Sequence, residues 1–161
     1  MRYLIAVIFI IFFMHLANAQ NAADIRMTGI NNDTLSLSEL KGSLVLIEFW
    51  ASWNNFSREN HFKLLSIYNR YKYSNFTNAK SFEIFSISLD SKKSDWENAC
   101  QQDNINWKYN VCDFNYWNTQ AVNDYNINRL PYYILIDEEG RIIKTMKKID
   151  ELEQLLNKYI K

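Results

Sequence analysis

The chain has 161 residues with 18 basic and 18 acidic side chains, a length that suits a single domain with a core of its own. Arg2 is the only charged residue among the first 19, so residues 20–161 carry 17 basic and 18 acidic groups, a formal charge of −1. A nearly neutral surface argues against nucleic acid or an anionic membrane as a partner.

The first 19 residues have the layout of a secretory signal peptide. Arg2 gives a positive start, an apolar run extends to residue 16, and Ala17-Asn18-Ala19 forms a small-x-small cleavage site. The alternative is a membrane anchor, but the run is shorter than the ~20 apolar residues of a spanning helix. We therefore expect cleavage after Ala19, a periplasmic or secreted location, no stable membrane insertion afterwards, and one domain over residues 20–161.

Residues 24–42 open this domain with two short extended segments, 24–30 and 34–37, on either side of a polar turn. The run Leu37-Ser38-Glu39-Leu40-Lys41-Gly42 resembles the lead-in of the exported thioredoxin-like family, which implies one helical turn that ends at Gly42 with a positive φ. Residues 44–50 then form a continuous apolar run rich in β-branched and aromatic side chains. Such a run predicts a strand that is buried on both faces, and hence the central strand of a sheet.

Helical and strand patterns alternate in the middle of the chain. Residues 57–73 predict a helix. The side chains expected to pack on the sheet are Phe62, Leu65, Ile67, Tyr68 and Tyr71. Residues 82–89 predict a strand, and Ser94 with Glu97 forms a capping-box pattern for a second helix that ends near residue 103. Residues 105–111 predict an edge strand.

The last part of the chain predicts a short helix at 119–125 and a hairpin with strands at 132–136 and 141–145. Gly140 supplies the positive φ that the hairpin turn needs. Asp150 is expected to cap a final helix. Strands alternating with helices and ending in a hairpin predict an α/β fold, a central mixed β-sheet flanked by helices.

The run Phe49-Trp50-Ala51-Ser52-Trp53 resembles the segment before the Cys-x-x-Cys redox site of thioredoxins, above all of the exported thioredoxin-like family of thiol-disulfide oxidoreductases and thiol-specific antioxidant proteins. The resemblance covers about residues 24–161 and implies a thioredoxin fold with an N-terminal β-hairpin extension. It puts the two redox cysteines at Asn54 and Ser57. Neither residue can form a thiolate, so disulfide exchange at this site is excluded.

Two interpretations of these replacements stay open. Asn54 and Ser57 are good helix-capping residues and either cap the helix only, or offer with the free amides of its first turn a site for a polar ligand group. Leu130-Pro131 matches the cis-proline loop of the family, and the resemblance implies a cis bond and a backbone edge at Leu130 that pairs with an extended peptide.

Aromatic side chains accompany the former redox site. Phe56 occupies a turn position that ought to be exposed, and with Trp53 it suggests a protein-binding surface. Trp50 and Tyr132 are candidates for the same surface, although Trp50 is better explained by packing on the sheet.

Glu48 lies inside the apolar strand, where the family often carries an acid that helps to deprotonate the inner thiol. Without that thiol a buried carboxylate is costly unless it is protonated or a hydrogen bond satisfies it, so we expect it instead to reach a solvent pocket or to pair with a lysine. His61, the only histidine after residue 19, is expected to face solvent. One histidine, two cysteines and scattered acids give no metal-site spacing, so neither a metal nor a cofactor is expected.

Cys100 and Cys112 are the only cysteines of the chain. An oxidising compartment would favour a structural disulfide between them, with a stabilisation of ~3 kcal/mol in the chain-entropy model. The alternatives are two unpaired buried thiols and a relocated redox pair.

These observations predict a redox-inactive thioredoxin-fold protein of the cell envelope that binds an extended peptide or an envelope protein partner. The predicted binding residues are Trp53, Asn54, Asn55, Phe56, Ser57, Leu130 and Pro131. The competing hypothesis is a thiol-disulfide oxidoreductase or a peroxiredoxin-like antioxidant enzyme that acts through Cys100 or Cys112. A third is a purely structural subunit with a degenerate site.

Overall fold

The computed structural model describes residues 20–161, and the predicted signal peptide lies outside these residues. This part of the chain forms, in order, β1 (Arg26–Thr28), β2 (Thr34–Ser36), β3 (Leu44–Trp50), α1 (Asn55–Tyr71), β4 (Phe82–Ser88), α2 (Lys93–Gln102), β5 (Tyr109–Cys112), α3 (Gln120–Asp124), β6 (Tyr132–Ile136), β7 (Ile142–Met146) and α4 (Leu152–Leu156). Short 3-10 turns cover Leu37–Leu40, Tyr116–Asn118 and Ile149–Glu151. Among residues 20–161, the helices are all too short or too polar to cross a membrane.

Five strands form a mixed sheet in the order β5-β4-β3-β6-β7. β3, β4 and β5 are parallel, whereas β6 and β7 run antiparallel to their neighbours. β1 and β2 form a separate antiparallel hairpin ahead of this sheet. All seven residues of β3 are buried, as expected of an apolar run at the centre of a covered sheet. The predicted mixed sheet, its helices and the N-terminal hairpin are confirmed.

The two faces of the sheet support separate cores. Because side chains alternate along a strand, Val45, Ile47 and Phe49 of β3 point to one face, where they pack with the hairpin and α3. Leu44 and Leu46 point to the other face, beneath α1 and α4. The same alternation directs Glu48 toward α1.

The helix α1 packs on the sheet through a stripe that differs from the predicted one. Its buried residues are Ser57, His61, Leu64, Ile67, Tyr68 and Tyr71. Phe62 is 82% exposed, so its predicted burial is wrong. Successive helical residues are rotated by about 100°, and Phe62 therefore points away when His61 and Leu64 point inward. The expectation that His61 faces solvent is also wrong, because the structure buries this side chain completely.

Two predicted helix caps are absent. α2 begins at Lys93, so Ser94 already lies within its first turn, and its hydroxyl donates to Asp95 rather than capping the helix. Asp150 lies inside the 3-10 turn before α4 and pairs with Lys63. A capping side chain must stand on the residue before the helix, and neither residue does.

Candidate functional site

The turn between β3 and α1 holds the two positions at which the family resemblance places the redox cysteines. Asn54 is the N-cap of α1, and its Oδ1 accepts hydrogen bonds from the Ser57 amide at 2.8 Å and from the Ser57 hydroxyl at 3.0 Å. Ser57 is fully buried and Asn54 is half-buried. The pair thus forms a helix cap, in which only Asn54 is within reach of a ligand.

A buried carboxylate fixes this turn to the neighbouring strand. Asp90 follows β4 and is 1% exposed. Its Oδ2 accepts from the Ser52 amide at 3.0 Å and from the Ser88 hydroxyl at 2.6 Å, and its Oδ1 accepts from the Ser52 hydroxyl at 2.6 Å. Because two of these bonds come from Ser52 in the turn and the third from Ser88 of β4, the backbone that leads to Asn54 is tied to the neighbouring strand.

The proline loop lies at the same edge of the sheet. Phe49 of β3 pairs with Tyr132 of β6, so residues 130–131 stand beside the end of β3. The Leu130-Pro131 bond is cis, as the resemblance implies, and both residues are half-buried. The turn between β3 and α1 and the proline loop therefore lie side by side. The predicted site residues on these two segments are brought together.

Exposed aromatic side chains surround this edge. Phe56 is 71% exposed and Trp53 is 45% exposed. Trp53 contacts two rings of the loop after β5, Tyr116 at a centroid distance of 5.4 Å and Trp117 at 6.4 Å. We call Trp53, Phe56, Tyr116 and Trp117 the aromatic surface. Tyr116 and Trp117 were missed from the sequence because an irregular loop has no period that reveals which side chains face outward.

Two other aromatic residues considered for this surface lie elsewhere. Trp50 is fully buried and packs edge-on against His61 at 4.5 Å, so it belongs to the core. Tyr132 is half-buried and packs against the core on the face of the sheet opposite α1.

The loop that carries Tyr116 has an unusual backbone. Phe114 and Tyr116 have φ values of 59° and 56°, in the left-handed region that bulky side chains rarely adopt. Phe114 is anchored by an edge contact with Trp96 at 5.8 Å. Such a conformation persists only where the surroundings fix it, and it is commonest in functional loops.

Beneath the first turns of α1 lies a row of buried polar side chains that crosses the sheet. Glu48 stands opposite Ser86 of β4 and Tyr133 of β6. Trp107 Nε1 donates to Ser86 Oγ at 2.8 Å, and Ser86 Oγ donates to Glu48 Oε2 at 2.5 Å. Glu48, Ser86 and Tyr133 are all 0% exposed. The expected solvent pocket or lysine partner of Glu48 is therefore wrong.

The partner of Glu48 is His61. His61 Nε2 lies 3.4 Å from Glu48 Oε1, within ion-pair range although not in hydrogen-bond geometry. On its other side, His61 Nδ1 lies 2.7 Å from Asp103 Oδ2. Arg58 binds both oxygens of Asp103, with Nη2 at 2.6 Å from Oδ1 and Nε on Oδ2. We call Glu48, His61, Asp103 and Arg58 the buried ion cluster.

The charges of this cluster follow from its hydrogen bonds. Burial raises the pKa of Asp103, but the bonds from Arg58 and His61 outweigh it and hold this pKa below its usual value. Asp103 is therefore ionised, and His61 Nδ1 must carry the proton between them. Burial lowers the pKa of His61, but the carboxylates of Glu48 and Asp103 outweigh it and raise the pKa above 6.5. The bond to Asp103 likewise raises the pKa of Arg58.

Comparison with known proteins identifies the family. A family model described as thioredoxin-like matches residues 42–142, more than half of the chain. The chain belongs to the thioredoxin-like family. It is 22% identical over 136 residues to the thiol-disulfide oxidoreductase ResA of Bacillus cereus, an alignment that covers 84% of this chain and 73% of the relative.

Solved structures confirm the predicted thioredoxin fold. A thiol-disulfide oxidoreductase from Bacteroides fragilis is 28% identical and superposes with a TM-score of 0.76, covering 86% of this chain and 98% of that structure. The thioredoxin domain of a thiol-disulfide oxidoreductase from Bacteroides vulgatus is 26% identical with a TM-score of 0.79, covering 89% of this chain and 97% of that structure.

The two cysteines of this thioredoxin-like protein pack around Trp50 and Trp96 and are not part of the turn between β3 and α1. Both are buried free thiols, so the disulfide weighed from the sequence is not formed in the structure. Asn110 Nδ2 donates to Cys100 Sγ at 2.9 Å, and Cys112 Sγ donates to the Asp90 carbonyl at 3.5 Å. Burial raises the pKa of Cys100 to about 12 and that of Cys112 to about 11. Neither thiol is therefore activated, since the thiolate is the reactive form.

Alkylation tests this assignment. We expect iodoacetamide to leave both thiols unmodified in the native protein at about pH 8 and to label both once the protein is unfolded without reductant, because burial hinders access and ionisation. Mass spectrometry counts the adducts, and an Asn55→Cys variant provides an exposed thiol as positive control. An unfolded chain that takes up no label without reductant would instead contain the disulfide.

The cap at Asn54 is testable by substitution. Asn54→Ala removes the acceptor for the Ser57 amide and hydroxyl, and we expect it to lower the free energy of unfolding by about 1 kcal/mol. Urea denaturation followed by circular dichroism measures the loss. Asn55→Ala, in the exposed first turn, is the matched control and should change stability by less than about 0.5 kcal/mol. Equal effects of both variants would contradict the capping role.

Two clefts of the protein lie away from the turn between β3 and α1. A cleft of about 250 Å³ between the N-terminal segment and the turn after β6 is lined by Asp24, Leu40 and Asp137. Another of about 200 Å³ lies beside Tyr125 and Tyr132. Neither is lined by a residue of the turn between β3 and α1. Within residues 20–161, His, Cys, Asp and Glu form no group of three that could hold a metal ion.

Proposed function

We propose that this protein is a redox-inactive thioredoxin-fold protein that holds an extended peptide or a protein partner at the edge formed by residues 53–57, the aromatic surface and Leu130-Pro131. One observation carries the proposal. At the positions where the family resemblance puts the redox sulfurs, Asn54 and Ser57 are hydrogen-bonded to each other as a helix cap. The site has lost its electron chemistry and kept its exposed surface.

The chemistry of the site supports a role without electron transfer. Disulfide exchange needs an attacking thiolate and a second thiol that resolves the mixed disulfide. The Asn54 amide is no nucleophile at neutral pH, and the Ser57 hydroxyl is buried and donates to Asn54. Cys100 and Cys112 lie in the packing around Trp96, where burial raises the pKa of both.

The surface supports a role in binding. Tryptophan, tyrosine and other aromatic side chains dominate the binding energy of protein interfaces when a partner covers them. Trp53, Phe56 and Tyr116 are each more than 40% exposed beside the proline loop. At Leu130 an extended segment of the partner could add to the backbone edge, as a strand adds to the edge of a sheet.

A location in the cell envelope is part of the proposal and rests on the signal-peptide pattern of residues 1–19. Expression with cell fractionation and N-terminal sequencing tests it. We expect a mature chain in the envelope or medium that begins at Gln20.

Binding can be tested with two exposed phenylalanines of α1. Phe56 belongs to the aromatic surface, whereas Phe62 is 82% exposed and lies one and a half turns further along the helix. We expect carboxymethylated casein, an unfolded polypeptide, to bind the protein in fluorescence anisotropy. Phe56→Asp should weaken this binding about tenfold or more, equivalent to about 1.4 kcal/mol. Phe62→Asp should leave it unchanged, and equal effects or no binding would contradict the proposal.

The competing function is that of an enzyme, and the activity for which the relatives are named, thiol-disulfide oxidoreduction, favours it. It requires Cys100 or Cys112 to react. Turnover of insulin disulfides that is lost in Cys100→Ser or Cys112→Ser would establish this enzyme and overturn the proposal.

A further inference from the structure

We propose that a protonated His61, held between the carboxylates of Glu48 and Asp103, locks the first two turns of α1 onto the sheet, and that loss of its proton at alkaline pH releases those turns. The geometry carries the inference. Glu48 is anchored in β3, His61 and Arg58 stand on α1, and Asp103 caps the end of α2. The buried ion cluster thus joins three elements at the start of α1.

The proton decides the charge balance of the cluster. With His61 protonated, two cations face two carboxylates and the cluster is neutral. Without the proton, Glu48 keeps Ser86 as its hydrogen-bond donor, and within residues 20–161 its fully buried Oε1 has no other partner. An uncompensated buried carboxylate is costly, so loss of the proton favours a state in which the site opens to water.

Among residues 20–161, no other group that contacts His61 replaces the lost charge. From β3 it meets Glu48 and Trp50, from the end of α2 Asp103, and from the segment before β5 Trp107. On α1 itself Arg58 is already bound to Asp103. Tyr133 of β6, opposite Glu48, is neutral because burial raises its pKa far above the physiological range.

The direction of the pH dependence follows by linkage. The pKa of His61 is raised in the folded state above the value of about 6.5 that it has in an unfolded chain. The stabilisation is therefore complete below about pH 6.5, where both states are protonated, and it is lost as the pH rises through the folded pKa. The contribution of His61 to stability is therefore lost at alkaline pH.

Only the first two turns of α1 are expected to leave the sheet. Leu64, Ile67 and Tyr71 hold the later turns of α1 in the apolar core independently of the cluster. The first two turns bury only the small Ser57 side chain besides His61, whereas Phe56 and Phe62 are exposed. This inference does not depend on the partner-binding proposal, and its test needs no partner.

Histidine NMR provides the test, because His15 is the only other histidine of the chain. In the full chain with His15→Gln, we expect a single imidazole signal, from His61, whose chemical shift titrates with a midpoint above pH 6.5. Glu48→Gln should lower this midpoint, and so should Asp103→Asn, a second variant whose site is partly exposed and better tolerates substitution. Glu97→Gln, an exposed carboxylate on α2, is the control and should leave the midpoint unchanged.

Hydrogen exchange provides the structural readout. After correction for intrinsic rates, we expect the amides of residues 58–61 to exchange at least about tenfold faster above the His61 midpoint than below it, while those of residues 67–71 do not change. A His61 titration midpoint at or below pH 6.5 would overturn the proposal. So would a midpoint that neither carboxylate variant changes, or amide exchange at residues 58–61 that does not change across the titration.

Discussion

Replacing His61 by leucine is expected to lower the free energy of unfolding by about 3–5 kcal/mol, the usual cost of removing one partner from a buried ion pair. Leucine fills a similar volume, so the loss comes from charge. Glu48, at 0% exposure and 3.4 Å from the imidazole, loses its counter-charge, and Asp103 keeps only Arg58. Urea denaturation at about pH 6, where the histidine is protonated in both states, measures the difference.

Two further variants separate this effect from simple repacking. The double variant Glu48→Leu/His61→Leu removes the stranded carboxylate as well, and it should recover a large part of the loss. Lys63→Ala breaks the exposed bridge to Asp150 and should cost less than about 1 kcal/mol. A His61→Leu variant no less stable than Lys63→Ala would show that the buried pair contributes nothing.

Much of the fold could be predicted because β3 and its neighbours are specified locally. A seven-residue apolar run has one stable place in an α/β protein, the centre of a covered sheet, and β3 occupies it. Gly42 and Gly140, with φ values of 88° and 87°, stand at the predicted turns. The lack of thiols in the turn between β3 and α1 could also be predicted, because it depends only on the residue types at 54 and 57 and not on distant contacts.

The buried ion cluster could not be predicted in the same way. Its contacts join residues that are far apart in sequence, such as His61 and Asp103, and periodicity carries no information on such pairs. One signal was available. Leu64 lies seven residues after Ser57, and Tyr71 lies ten residues after His61, so all four share one face of the helix. The apolar Phe62 and Leu65 offered a competing stripe. A carboxylate in a fully buried strand also required a partner, and a histidine one turn into the facing helix supplies it.

The aromatic surface could be predicted only in part. The exposure of Phe56 and Trp53 followed from their place in a turn. Tyr116 and Trp117 reach the same surface from a loop about 60 residues later, and only the fold brings that loop to the end of β3.

Introducing cysteines at residues 54 and 57 is expected to create disulfide reductase activity, which under the proposed function the natural sequence does not have. The variant is Asn54→Cys/Ser57→Cys in a Cys100→Ser/Cys112→Ser background, so that every thiol belongs to the rebuilt site. The side chains of residues 54 and 57 already meet, at 3.0 Å, and the residue 54 side chain accepts from the residue 57 amide. A thiol at this helix N-terminus has its pKa lowered by the amides and the helix dipole, which favours attack on a disulfide.

Insulin reduction by dithiothreitol, followed by turbidity, measures the outcome. We expect the rebuilt site to accelerate the reaction at least about tenfold over the uncatalysed rate, and the natural sequence to give no acceleration. Asn54→Cys alone in the same background is the control, since it can form a mixed disulfide but has no second thiol to resolve it. Activity in the natural sequence would contradict the redox-inactive assignment. An inactive rebuilt site would show that the surroundings, with Glu48 now bound to Ser86 and His61, have diverged beyond the two sulfur positions.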